Sequence, residues 1–209
     1  KRLDEMGIPW KDCGGPLPAK MTDDFVEAGF PRMEKETGVT AVIGHGSPCI
    51  LLRADMDALP VREDNDLEYK SCNGAGHMCG HDSHAAMLLG AAQILKDMES
   101  ELKGSVKLMF QPGEEPGAGA RVMVENRALQ DPQVNAAFGL HVQPTDDTGK
   151  GGYAVGVNSA SLDSLILKIH GRGGHSSQPQ LCTDPLMIMN QVYQAVNLLA
   201  TREADPAAM

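Results

Sequence analysis

A surplus of positive charge is missing: 18 Lys and Arg stand against 28 Asp and Glu, for a formal charge of -10 over 209 residues. No basic run offers a phosphate backbone an attractive field, so nucleic acid is excluded as an expected partner. Long apolar stretches are missing too. Each is broken by polar residues well short of the roughly 20 that a membrane helix needs, and the opening Lys1-Arg2-Leu3-Asp4-Glu5-Met6 lacks a signal peptide's apolar core. These absences predict a soluble, cytoplasmic protein with no membrane partner. The cysteines, Cys13, Cys49, Cys72, Cys79 and Cys182, are odd in number and contain no C-x-x-C pair. That excludes a secreted disulfide framework and a thioredoxin-like motif. Internal repeats and low-complexity segments are also lacking.

What is present is the material for a core, with 42% hydrophobic and 22% charged residues. A domain of this length buries about 70% of the surface of its unfolded chain, so it needs no disulfide staple. The aliphatic and β-branched runs 38–43 and 48–53, separated by Gly44-His45-Gly46-Ser47, predict two strands and a turn. Met87, Leu88, Ala91, Ala92, Leu95 and Met98 recur at spacings of three and four, predicting an amphipathic helix over 83–98. A strand follows over 105–111 and stops at Pro112-Gly113. Helical spacing resumes over 118–129, and 134–142 reads as another buried strand. Such alternation predicts an α/β fold, a mixed and mostly parallel sheet with helices on both faces. Past Gly149, Gly151 and Gly152 the pattern changes to strands at 153–157 and 162–170, a Gly-rich turn and a helix over 184–200. This reads as the opening of a second, smaller α+β unit. Residues 14–37 are punctuated by Pro and Gly and carry only weak periodicity.

Four polar clusters fall just beyond predicted strands or at the start of the main helix, where open α/β sheets hold their ligands. They are Asp55/Asp57, Cys79/His81/Asp82/His84, Glu114/Glu115 and His141. In extended backbone Cys79 and His81 point to one side, and thiolate, imidazole and carboxylate are donors for zinc and its first-row neighbours. Adjacent Glu114 and Glu115 would face opposite ways, leaving one to ligate and the other to carry protons. Metal plus free base is hydrolytic machinery. Each piece alone has a plainer reading: twin glutamates on a solvated loop, a hydrogen-bonded core histidine, an Asp55/Asp57 turn cap. Cys72, His77, Cys79 and His81 could form a structural zinc knuckle, although their spacing fits no usual finger. The glycines around Glu114 are no phosphate cradle, since Gly-Lys-Ser/Thr is absent and two anions sit where phosphate would.

Taken in order, LLRADMDALPV (51–61), GHMCGHDSHAAMLLGAA (76–92), VKLMFQPGEEPGAGARVMVE (106–125), FGLHV (138–142) and IHGRGGHSSQP (169–179) resemble one family. It is the amidohydrolase branch of the aminoacylase and carboxypeptidase G type metallopeptidases, which includes hippurate hydrolases and indole-acetyl-amino-acid hydrolases. The resemblance implies hydrolysis of an N-acyl amino acid at a site of two divalent metal ions held by Cys79, His81, Glu115 and His141. It implies Glu114 as general base on a water shared by the ions, and Asp57 as the carboxylate that orients a ligand from behind. Asp55 stands where sister branches have a ligand histidine, and its role is left open. His175 matches a histidine that reaches into a homodimer partner's site to stabilise the oxyanion. A solvent-exposed hairpin histidine is the alternative. The thiolate favours zinc, while the carboxylates and family precedent leave manganese or cobalt open.

On this resemblance residues 1–158 are the N-terminal part of a catalytic domain with an insertion at 14–37, and 159–209 begin a dimerisation or lid domain. The family's last ligand histidine has no counterpart here, so a fragment is expected. A second hypothesis makes the chain an inactive remnant that binds metal weakly or pairs with a full-length relative through the strand near 165–169. A third makes it a structural zinc domain using Cys72.

Overall fold

The computed structural model describes residues 2–12, 38–159 and 165–203. The expected insertion at 14–37 lies outside them. Contacts divide the chain into two compact units, Lys1–Asp146 and Asp147–Met209.

In the first unit a short helix α1 (Arg2–Glu5) leads into β1 (Trp10–Asp12), followed by β2 (Val39–Gly44) and β3 (Cys49–Asp55). Helix α2 (His81–Asp97) crosses to β4 (Ser105–Gln111), and α3 (Gly119–Glu125) precedes β5 (Ala136–Gly139). The sheet order is β1-β2-β4-β3-β5. β2 is antiparallel to β1 and to β4, whereas β3 runs parallel to both its neighbours, β4 and β5. The β3–β4 register, Cys49 opposite Ser105 through Asp55 opposite Gln111, brings the carboxyl ends of both strands to one edge. β5 ends at that edge as well, since Gly139 lies opposite Arg53.

Period-two alternation along the central strand β4 divides the core. Leu108 and Phe110 join Ala41, Ile43 and Ala54 under Leu88 and Ala92 of α2. Met109 points the other way and joins Leu51, Met123 of α3 and Ala128. Helices therefore cover both faces, as the alternating pattern predicts. Lys107 shares the second face and is fully buried, its ammonium donating to the carbonyls of Ala128, Gln130 and Pro132 at 3.1, 2.6 and 3.1 Å. The buried positions of α2, His81, His84, Leu88 and Ala92, form one stripe whose N-terminal end is polar. That polar end lies where the strands end.

Three expected strands differ from the structure. The strand over 134–142 is only Ala136–Gly139, and all four residues are exposed. β5 is an edge strand, hydrogen-bonded to β3 alone and covered on neither face among the described residues. Residues 153–157 and 165–170 form no strand, because neither segment has a ladder partner among the described residues. Residues 162–164 lie outside those described. The helix expected over 118–129 ends at Glu125, and the following turns carry positive φ at Arg127 and Asp131.

In the second unit Arg172 and Thr183 form an isolated antiparallel bridge, and α4 (Pro185–Leu198) follows. Asp184 caps α4 by accepting from the Leu186 N–H at 2.9 Å, and Pro185 occupies the first turn, where its missing N–H costs nothing. No helix among the described residues is long and apolar enough to cross a membrane.

Candidate metal centre

Each element ending at the carboxyl edge delivers a polar side chain. β3 runs into Asp55 and Asp57, the turn after β4 carries Glu114 and Glu115, the segment after β5 carries His141, and the turn into α2 carries Cys79 and His81. Gly80 makes that last turn, at φ +88°. A Cβ there would sit 2.4 Å from Val142 Cγ2, so the Cys79-Gly80-His81 turn lies directly against the segment bearing His141.

Cys79 Sγ is 3.3 Å from His141 Nε2, and the donor atoms of Cys79, His81 and His141 all lie within 4.8 Å of one another. His81, Glu114 and Glu115 form a second such group. His81 Nε2 is 3.8 Å from Glu114 Oε2 and 3.9 Å from Glu115 Oε1. The twin glutamates occupy a turn rather than the extended backbone expected, so both approach the same imidazole. They differ in burial, with the Glu114 side chain 41% exposed and that of Glu115 20%.

Asp57 sits behind this group. Its carbonyl oxygen is 3.0 Å and its Oδ1 3.2 Å from His81 Nδ1, and its Oδ2 accepts the Glu115 N–H at 3.0 Å. Both oxygens facing Nδ1 are acceptors, so Nδ1 carries the ring proton and the lone pair of Nε2 points inward. His81 Nε2 and Glu115 Oε1 are both buried and lack a hydrogen-bond partner among the described residues. Acceptors facing one another across 3.9 Å, neither with a hydrogen-bond partner among the described residues, call for a cation. The residues present therefore fit a divalent metal. Burial, then the negative charge of Glu115 and a hydrogen bond to it, then Glu114 and Asp55, push the Cys79 thiol above its ordinary range. A divalent cation at this spot reverses that balance and favours thiolate.

His84 carries no assigned role in the sequence reading, and the structure gives it one of the most connected places in the site. Its Nδ1 is 2.5 Å from Asp55 Oδ1, and its Nε2 accepts the Val142 N–H at 2.9 Å. Asp55 also pairs through Oδ2 with Arg53 at 2.7 Å. Burial alone would raise the Asp55 carboxyl, but the His84 hydrogen bond and the charges of Arg53, His81 and His84 together hold it below its ordinary value. The sequence did contain a signal for His84. It stands three residues after His81, on the same face of α2 and inside the buried stripe.

Cys72 and His77 are exposed and belong to none of the candidate ligand groups among the described residues, which removes the support for a zinc knuckle. His175 lies in the second unit, exposed, with Nδ1 2.8 Å from Ser177 Oγ and 3.2 Å from the Ser177 N–H.

Imidazole, thiol and carboxylate donors gathered at the carboxyl edge of an α/β sheet are the hallmark of a metallohydrolase. The chain belongs to peptidase family M20/M25/M40, whose profile matches residues 51–208. Among similar proteins, IAA-amino acid hydrolase ILR1-like 5 of Arabidopsis thaliana is 45% identical over 172 residues, which cover 81% of this chain and 39% of the relative. N-acetyl-L-cysteine deacetylase of Bacillus subtilis is 41% identical over 174 residues, covering 82% and 41%. The chain thus spans about two fifths of the length of these relatives. Of solved structures, the Bacillus subtilis YXEP protein, described as a dinuclear metal binding peptidase from M20 family, matches with a TM-score of 0.56 at 36% identity. That match covers 77% of this chain and 39% of the other. A putative aminohydrolase from methicillin-resistant Staphylococcus aureus matches with a TM-score of 0.66 at 29% identity, covering 98% and 50%.

Proposed function

We propose that the protein hydrolyses the amide bond of N-acyl amino acids at a centre of two divalent metals, with Cys79, His81, Glu115 and His141 as ligands. One observation carries the reading: buried His81 Nε2 and Glu115 Oε1 face each other, neither with a hydrogen-bond partner among the described residues, beside Cys79 and His141. Similarity to amidohydrolases and deacetylases supports the acylated amino acid as substrate class. When bound, the ions supply acidity to the attacking water and withdraw charge from the acyl carbonyl.

The chain's own residues divide the remaining work. Glu114, the more exposed of the two acids, takes the proton from the attacking water and returns it to the leaving amine. Asp57 holds His81 by Nδ1 and the Glu115 backbone by its N–H, which keeps both donors turned inward. The thiolate of Cys79 supports zinc, with manganese or cobalt as the alternatives that the carboxylates favour. Residues 1–158 serve as part of the catalytic domain and 159–209 as the start of a dimerisation unit. His175 of that unit acts on the acyl oxygen across a homodimer. The acidic charge and the unpatterned cysteines support cytoplasmic residence.

The experiment is Glu114→Gln, assayed on benzoyl-glycine and acetylated amino acids with metal content measured in parallel. The variant should keep its metal and lose about 10² to 10⁴ in turnover. Unchanged turnover would remove Glu114 as the base, and loss of metal would make it a ligand instead.

A further inference from the structure

His84, Asp55 and Val142 raise a question that the proposed ligand set does not answer. His84 is 2% exposed and Asp55 1%, and the donor atoms of Asp55, His81 and His84 lie within 4.8 Å of one another, close enough to suggest a third ligand group. Hydrogen bonding rules that use out. The Val142 N–H can only donate, so His84 Nε2 must be unprotonated and must spend its lone pair there. Nδ1 therefore carries the proton and donates it to Asp55 Oδ1. Both ring nitrogens are occupied, whereas His81 keeps a bare Nε2.

Val142 is the next link. Its carbonyl accepts from His141 Nδ1 at 2.7 Å, which places the proton on that nitrogen and leaves the lone pair of His141 Nε2 facing Cys79 Sγ. One residue is thus held by His84 at its N–H and orients His141 with its C=O. His141 itself is exposed and follows an edge strand exposed on both faces. The His84 and His141 rings stand edge to face, with centroids 4.6 Å apart. The chain Asp55, His84, Val142, His141 joins β3, α2 and the segment after β5 through four polar groups.

We infer that His84 is a positioning residue that, as the neutral Nδ1–H tautomer anchored on Asp55, fixes the Val142 backbone and so aims His141 Nε2 at the metal shared with Cys79. This rests on the ligand set proposed above. A glutamine at position 84 can still offer an acceptor where Nε2 stands, whereas an asparagine reaches only the Nδ1 position and leaves the Val142 N–H unmet.

The test titrates Co²⁺ into the purified apo-protein and follows the thiolate-to-cobalt charge-transfer band of Cys79, with thermal unfolding of the apo-forms as a control for folding. His84→Asn should weaken cobalt binding by about 10- to 100-fold and diminish the band, and His84→Gln should restore both to within about threefold. Equal losses in the two variants, tracking their loss of thermal stability, would make His84 merely structural and overturn the inference. Wild-type affinity in His84→Asn would do the same. Cys79→Ser and His141→Ala belong in the same titration. If they leave affinity intact, the ligand set fails and the role of His84 falls with it; if they lower it while His84→Asn does not, only the positioning role fails. A third readout needs no variant to fold as the wild type does. Imidazole nitrogen NMR of the wild-type protein should show His84 protonated at Nδ1 alone, and a proton on Nε2 would overturn the inference.

Discussion

Gly80→Ala tests the geometry of the centre without touching a donor atom. A Cβ at position 80 meets two obstacles of different kinds. The backbone stands at φ +88°, in the left-handed region that costs an L-residue about 1–2 kcal/mol. The new carbon would also lie 2.4 Å from Val142 Cγ2, about 1 Å inside ordinary contact, and forcing such an overlap costs about 1–3 kcal/mol. Together they predict about 3 kcal/mol of destabilisation, read as a fall of about 6–12 °C in Tm for a domain of this size. The overlap acts on the residue that orients His141, so metal affinity should fall as well. Val142→Ala deletes the obstructing methyl. In a double-mutant cycle the pair should therefore recover the packing part, about 1–3 kcal/mol, and leave the backbone part. Thermal unfolding by circular dichroism and a metal titration provide the two readings. A Gly80→Ala protein that melts with the wild type, or a cycle with no coupling to Val142, would refute the close approach of these two segments.

Asp57→Ala removes the partner of His81 Nδ1 and the acceptor of the Glu115 N–H, so metal should bind about 10- to 100-fold more weakly, and an unchanged titration would count against Asp57. Lys107→Met leaves the buried carbonyl of Ala128 and the partly buried carbonyls of Gln130 and Pro132 without their ammonium donor, at about 1–3 kcal/mol for the buried acceptor left unmet, so the urea midpoint should fall. Glu99 binds Lys96 and accepts the Gly44 N–H, which hold its carboxyl below its ordinary value of 4.5. A carboxyl lowered in the folded state stabilises above its unfolded value and loses that contribution as pH falls through the folded one. Glu99→Gln should thus be less stable than wild type at neutral pH, with the gap closing under acid conditions. A gap that stays constant with pH would show the carboxylate charge to be idle.

The elements with strong local patterns were legible from the chain. β4 occupies 105–111 as predicted, and α2 matches the helix predicted over 83–98 but starts two residues earlier and ends one residue earlier, because alternation and three-four spacing are local properties of side-chain burial. The segments at 153–157 and 165–170 also alternate, yet a strand exists only where another strand meets it, and the alternation cannot supply that partner. The buried character expected of 134–142 failed for a related reason. Apolar residues state a preference for burial, while the place of β5 at the sheet edge decides whether anything covers them.

Donor chemistry was readable in the same way. Cys79, His81, Glu114, Glu115 and His141 could be nominated from type and position, since side-chain identity fixes which atoms can bind a cation. What tertiary structure alone decided is how each nitrogen and oxygen is used. His81 and His84 are three residues apart on one helix and chemically identical, yet Asp57 leaves the first with a bare Nε2 while Asp55 and the Val142 N–H occupy both nitrogens of the second. A hydrogen bond depends on partners brought from 24 to 58 residues away, and only the folded sheet brings them.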